Sequence, residues 1–157
     1  MRTEELSRAV LERLMEKKRT LATAESCTGG LVGKLLTDIP GSSTVYLGGV
    51  ISYTNGVKRK LLGVPGEILE QYTAVSRQTA EKMAQGARIA VGADCAIGVT
   101  GLAGPDGDGS GRPVGLVYIS FSDETKTSVE ELHLSGTRAE IREAAARALL
   151  QLALENI

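Results

Sequence analysis

The chain has 157 residues with 18 basic and 19 acidic side chains, a length that predicts a single domain spanning residues 1–157. Hydrophobic residues make up 42% and charged residues 24%, a balance that builds a core and argues against disorder. The formal charge of −1 removes the sequence-independent attraction to nucleic acid or an anionic membrane, and no apolar run approaches the roughly 18 residues of a membrane helix.

Thr3 suits the cap of a first helix, with Glu4 and Glu5 in its first turn and Leu6, Val10 and Leu14 as its apolar stripe. The charges among residues 1–18 exclude the apolar core of a secretory signal. Residues 20–25 (TLATAE) read as a short buried strand. Ser26-Cys27-Thr28-Gly29-Gly30 breaks it, and helical spacing resumes over 31–39 before Pro40-Gly41. Residues 43–53 form the next strand signal, with Gly48-Gly49 marking a bulge or a close backbone approach. Asn55-Gly56 predicts a turn, 58–62 one helical turn, and 65–72 a short helix opened by Pro65.

Ser76 caps a stronger helix whose face carries Ala80, Met83, Ala84, Ala87, Ala90 and Val91. Residues 94–100 form a buried strand and 101–113 an irregular, glycine-rich flap. Residues 114–122 read as a central strand, and the more polar 126–134 as an edge strand. Thr137 and Glu140 make a capping box for a last helix with Ile141, Ala144, Ala145, Ala148, Leu149 and Leu152 on one face. The alternation predicts the α/β class: one three-layer α/β/α domain with a mixed sheet. Cys27 and Cys95 have no CxxC spacing and make no disulfide framework, so a reducing cytoplasm is the expected compartment.

Two constellations carry chemistry. Ser26 sits where a strand hands over to a helix, the position at which open α/β sheets bind ligands. The free amides of residues 27–30 would stabilise an anion there, and the glycines let a ligand approach; an ordinary helix cap would use the same residues. Neither the P-loop nor the GxSxG pattern fits. Cys27 is a rival nucleophile, although neighbouring side chains at a strand end point in different directions; Cys27 is expected inward and Ser26 outward. The second constellation is Tyr53-Thr54-Asn55 with Lys58. A lysine driven toward neutrality by burial can serve as a base for serine, and a tyrosine can orient it; a solvated basic run through Lys60 is the plainer alternative. His133, the sole histidine, would complete a triad only if the fold brought it to Ser26. Asp106 and Asp108 begin an EF-hand-like loop whose twelfth position is Val117, so calcium binding is rejected, and no Cys/His cluster suggests zinc. Arg138 and Arg142 share a helix face and could hold phosphate or carboxylate, or simply pair with acids.

Taken together, the segments Ala24-Glu25-Ser26-Cys27-Thr28-Gly29-Gly30, Tyr53-Thr54-Asn55 with Lys58, Leu62-Gly63-Val64, Val99-Thr100-Gly101-Leu102-Ala103-Gly104-Pro105, Arg112-Pro113-Val114-Gly115 and Gly136 with Arg138 and Arg142 resemble the CinA C-terminal family of nicotinamide-nucleotide amidohydrolases. They cover nearly the whole chain, which resembles the standalone form. The resemblance implies hydrolysis of the carboxamide of nicotinamide mononucleotide to nicotinic acid mononucleotide and ammonia, a pyridine-nucleotide salvage step. It implies Ser26 as nucleophile, Lys58 as base and Tyr53 as a positioning or relay group, with no metal and no cofactor. Expected substrate contacts are Cys27, Thr28, Gly29, Gly30, Asn55, Thr100, Gly101, Arg138 and Arg142. The expected partner is this small nucleotide, and a second copy in a homodimer, with no nucleic acid or membrane. A non-catalytic pyridine-nucleotide-binding module is the competing expectation.

Overall fold

The computed structural model describes all 157 residues. In chain order the elements are α1 (Thr3–Lys17), β1 (Leu21–Glu25), α2 (Leu31–Thr37), β2 (Tyr46–Ile51), α3 (Asn55–Leu62), α4 (Gly66–Tyr72), α5 (Arg77–Val91), β3 (Cys95–Gly101), β4 (Leu116–Ser122), β5 (Thr127–His133) and α6 (Arg138–Asn156). One five-stranded sheet has the order β2-β1-β3-β4-β5. β1 lies parallel to both β2 and β3, whereas β3–β4 and β4–β5 are antiparallel. The sheet is therefore mixed and the domain is α/β, as the alternating pattern predicts.

Successive strand residues point to opposite faces, so each face has its own core. Leu21, Ile97, Val99, Ile119 and Phe121 pack with the stripes of α1, α2 and α6. Ala22, Ala24 and Ala96 face Met83 and Ala87 of α5 and Leu62 of α3. The first core is larger and carries bulkier side chains; burying one such chain is worth about 1.5–3 kcal/mol. The second depends on close approach. A Cβ on Gly86 would lie 1.9 Å from the Leu62 carbonyl oxygen, so α5 presses on the C-terminal end of α3 through a residue without a side chain.

The helix caps follow the local chemistry. Ser76 Oγ accepts from Thr79 N at 3.1 Å, and Thr137 and Glu140 form the reciprocal box that starts α6. Gly48-Gly49 acts as anticipated. The β1–β2 register slips between Leu21 and Ala22, opposite Tyr46 and Gly48, and a Cβ on Gly49 would meet Thr23 Oγ1 at 2.0 Å.

Several boundaries differ from the sequence expectation: Arg2, not Thr3, takes the cap of α1, and β4 begins at Leu116 rather than at 114. The strand anticipated over 43–53 begins only at Tyr46, because Ser42–Thr44 winds into a 3-10 turn whose Thr44 hydroxyl donates to Gly41 O at 2.9 Å. Asn55-Gly56 is not a turn but the first turn of α3. Thr54 supplies the extended cap position, and Lys58 N donates to Thr54 O at 3.0 Å. Lys58 therefore projects from a helix, which fixes its direction.

Candidate active site

The parallel half of the sheet ends at a common edge. Past the end of β1, Ser26 N donates to Val99 O of β3 at 3.0 Å, and Ser52 N donates to Glu25 O at 2.7 Å. These ladder bonds continue beyond the assigned strands and hold Ser26 between its neighbours. α3 then delivers Lys58, whose Nζ donates to Ser26 Oγ at 2.9 Å and to Ser52 O at 2.6 Å. Lys58 is only 1% exposed, and neither of its acceptors is a carboxylate. Burial pushes its amine down to about 8, with the Cys27 thiol acting weakly in the other direction.

Ser26 and Lys58 open into a cleft of about 270 Å³, close to the small end of ligand pockets. Its walls include Tyr53, Thr100, Gly101 and Arg138, together with Asp106 and Asp108 of the glycine-rich flap and with Ala74 and Val75, which the sequence had not assigned to a site. Thr100 Oγ1 donates to Ala74 O at 2.8 Å and so ties the end of β3 to the segment before α5. Arg138 donates to Gly104 O and, at 2.9 Å, to Tyr53 Oη. The Tyr53 ring is more than half exposed, and its hydroxyl is engaged with Arg138 rather than with Lys58 or Ser26.

Five of the anticipated substrate contacts do not line this cleft: Thr28, Gly29, Gly30, Asn55 and Arg142. Thr28 is fully buried, and its hydroxyl donates to Glu25 Oε1 at 2.6 Å. Gly30 N also donates to Glu25, and Gly29 N donates to Ser26 O at 3.1 Å. Asn55 lies at the exposed start of α3, beside Arg59, Gly66 and Glu70 in a separate depression. Arg142 directs its guanidinium to backbone, with Nε on Cys27 O at 3.0 Å and Nη2 on Thr28 O at 2.9 Å.

Cys27 is buried in the larger core while reaching the cleft wall. Burial pushes its thiol up to about 11, which outweighs the opposing pulls of its own backbone amide, Lys58 and Arg142. A thiolate is therefore scarce there at neutral pH. His133 sits on the exposed β5 edge, hydrogen-bonded to Glu131 at 2.8 Å, and does not reach Ser26. Glu25, quoted in the sequence motif without a role, turns out to organise the loop. Its buried carboxylate accepts from the N–H groups of Gly30, Val32 and Gly33 and thereby fills the start of α2. The available signal was an acid at a strand end immediately before a helix.

The matches to known proteins follow this geometry. The family model of the CinA C-terminal domain matches residues 3–157. A CinA-like protein of Leptospira interrogans is 52% identical over 134 residues, covering 85% of this chain and 32% of that protein. A CinA-like protein of Synechococcus is 52% identical over 133 residues, again 85% of this chain and 31% of the relative. The chain thus spans about a third of the length of the curated relatives it matches. Among solved structures, the competence/damage inducible protein CihA from Agrobacterium tumefaciens superposes with a TM-score of 0.93 at 42% identity, covering 98% of this chain and 96% of that one. The competence damage-inducible protein A from Klebsiella pneumoniae reaches a TM-score of 0.97 at 32% identity, covering 99% and 97%. With its strand order, its cleft and a family match over almost its full length, this chain belongs to the CinA C-terminal domain family.

Proposed function

We propose that the protein is an amidohydrolase in which Ser26 attacks a carboxamide and Lys58 is the general base, with nicotinamide mononucleotide as the substrate. The observation that carries this reading is the 2.9 Å contact between Lys58 Nζ and Ser26 Oγ, made by an amine that is buried without a counter-charge. A surface lysine would be protonated and useless as a base at neutral pH. Burial brings this one to about 8, so a usable fraction is neutral. In that form the contact reverses and Ser26 Oγ–H donates to Nζ.

Attack of Oγ on the carboxamide carbon transfers the hydroxyl proton to Lys58 and places negative charge on the former carbonyl oxygen. The Cys27 amide beside Ser26 stabilises that charge. The C–N bond then breaks, the Lys58 ammonium returns its proton to the leaving nitrogen, and ammonia departs. Water attacks the resulting ester and gives a proton to Lys58, which passes it to Ser26 Oγ as the ester C–O bond breaks and the carboxylic acid leaves. The nucleotide portion of the substrate extends toward Arg138 at the cleft wall, and Tyr53 acts through Arg138 rather than as a relay to Lys58. A homodimer in a cytoplasmic setting completes this reading; sedimentation equilibrium measures the association.

A pyridine-nucleotide-binding module would keep the cleft but would have no use for an unpaired buried amine next to a hydroxyl. Ammonia release separates the two. Wild-type protein should liberate ammonia from nicotinamide mononucleotide, and Ser26→Ala should abolish release while still binding the nucleotide in calorimetry. Binding without ammonia release from wild type would leave the binding module standing and remove the hydrolase.

A further inference from the structure

Loop 26–30 is held from two opposite sides, and the consequence lies in its peptide planes. In a trans peptide the C=O and the following N–H point in opposite directions. Arg142 Nε takes Cys27 O at 3.0 Å, which turns Thr28 N–H away from Arg142. Nη2 of the same side chain takes Thr28 O at 2.9 Å, which turns Gly29 N–H back toward Ser26 O. With Ser26 O occupied by Gly29 N, the Cys27 N–H is directed the other way.

Glu25 fixes the far end of the loop. Its Oε1 accepts from Thr28 Oγ1, Gly30 N and Val32 N, and Oε2 accepts from Gly33 N at 3.0 Å. Leu31 N is taken by Thr28 O at 3.1 Å. Every amide from Gly29 to Gly33 is therefore committed within the protein. The amides of Cys27 and Thr28 have no backbone acceptor; Thr28 is fully buried away from the cleft, whereas Cys27 reaches the cleft wall and its N–H has only its own thiol beside it. The Cys27 N–H, beside Ser26 and oriented by a carbonyl held on its other side, is the donor of this loop that can meet developing negative charge in the cleft.

We propose that Arg142 and Glu25 are positioning residues: they lock the peptide planes of loop 26–30 so that the Cys27 amide meets the oxyanion formed at Ser26, and Arg142 does not touch the substrate. This rests on Ser26 being the nucleophile. Arginine is required because one planar fork spans two successive carbonyls; a lysine keeps the charge and loses the fork. Glu25 is required as an ion because all its donors are N–H or O–H groups, so an amide NH2 in its place would confront another donor.

The test combines kinetics, binding and amide resonances. Arg142→Lys should lower kcat for ammonia release by about 10²-fold, the typical loss for one oxyanion donor, with KM held within about twofold. The pH midpoint of the rate should stay in place, because the local charge is unchanged. Glu25→Gln should act in the same direction, and Arg147→Lys, an exposed change on the same helix, should leave kcat unaltered. In a Ser26→Ala background, Arg142→Lys should leave nucleotide affinity intact. In ¹⁵N-labelled protein, both the Arg142 and the Glu25 variants should shift the Cys27 and Thr28 amide signals. A rise in KM or a loss of affinity with kcat preserved would make Arg142 a substrate contact and overturn the proposal. Unmoved Cys27 and Thr28 amides would overturn it as well, whatever the kinetics. If wild type frees no ammonia while those amides move in the variants, the locking of the loop stands and the hydrolase reading falls. Should Glu25→Gln fail to fold, Arg142→Lys decides alone.

Discussion

An amine buried without a counter-charge must shed its proton or destabilise the fold, and Lys58 is such an amine. The neutral form is the active one in the proposed reaction. The sign follows: kcat/KM for ammonia release should rise with pH and level off above about 8, the value to which burial brings Lys58. A flat profile from about pH 6 to about pH 9 would count against Lys58 as the base. Lys58→Arg, which stays protonated, should lose activity by orders of magnitude even though it keeps the charge. Cys27 makes the contrasting case. Its thiol is pushed up to about 11, so iodoacetamide at neutral pH should leave turnover intact, and Cys27→Ala should retain activity within about tenfold. Inactivation by the reagent would restore the thiol as the nucleophile. Both Ser26 and Lys58 were legible as candidates, because a hydroxyl at a strand end and an amine after a second strand are visible in one dimension. Their pairing was not, since it came from resemblance alone. The Ser52 carbonyl that aims Lys58 has no signature at all, because every residue has a carbonyl.

Elements place these atoms by close packing as well as by hydrogen bonds. α3 carries Lys58, and its C-terminal end is pinned where Gly86 of α5 meets Leu62 O. Gly86→Ala should cost about 1–3 kcal/mol, read as a lower melting temperature, because the Cβ must displace backbone rather than a mobile side chain. Gly56→Ala, in the same α3, meets nothing within 4 Å and should be neutral or stabilising by up to about 1 kcal/mol. Equal effects from the two would show that helix propensity, not contact, governs the site. The strands and the long helices were readable from periodicity and caps, as with Ser76 and Thr137. The start of α3 was not, because Asn-Gly is a turn signal locally and only the fold shows Lys58 bonding back to Thr54. The commitment of α2's first amides to Glu25 was hidden for a related reason: a capping acid one residue before a nucleophile looks like part of the nucleophile's motif.

At the scale of the molecule, the buried amine links function to stability. The folded Lys58 titrates at about 8 against 10.5 for an unperturbed lysine, so between those values the unfolded chain binds more protons. Raising pH through that window therefore stabilises the fold, by on the order of 3 kcal/mol from this group. The buried Cys27 and Cys95 thiols oppose this above about pH 9, since their values are raised to about 11 and about 12. A comparison cancels them: the urea midpoint of wild type should gain on that of Lys58→Met as pH rises from about 8 to about 10. A constant gap between the two would mean that Lys58 is not perturbed by the fold.

Ser26 follows β1 and Lys58 lies on α3, whereas both arginines that shape their surroundings ride on α6, which follows every other element described. α6 also fills the larger core against α1, α2 and the sheet, so one docking event both completes that core and clamps the loop beside Ser26. A chain interrupted before Arg138 should therefore lose its cooperative melting transition, so that the fold and the ordering of the cleft are gained or lost together.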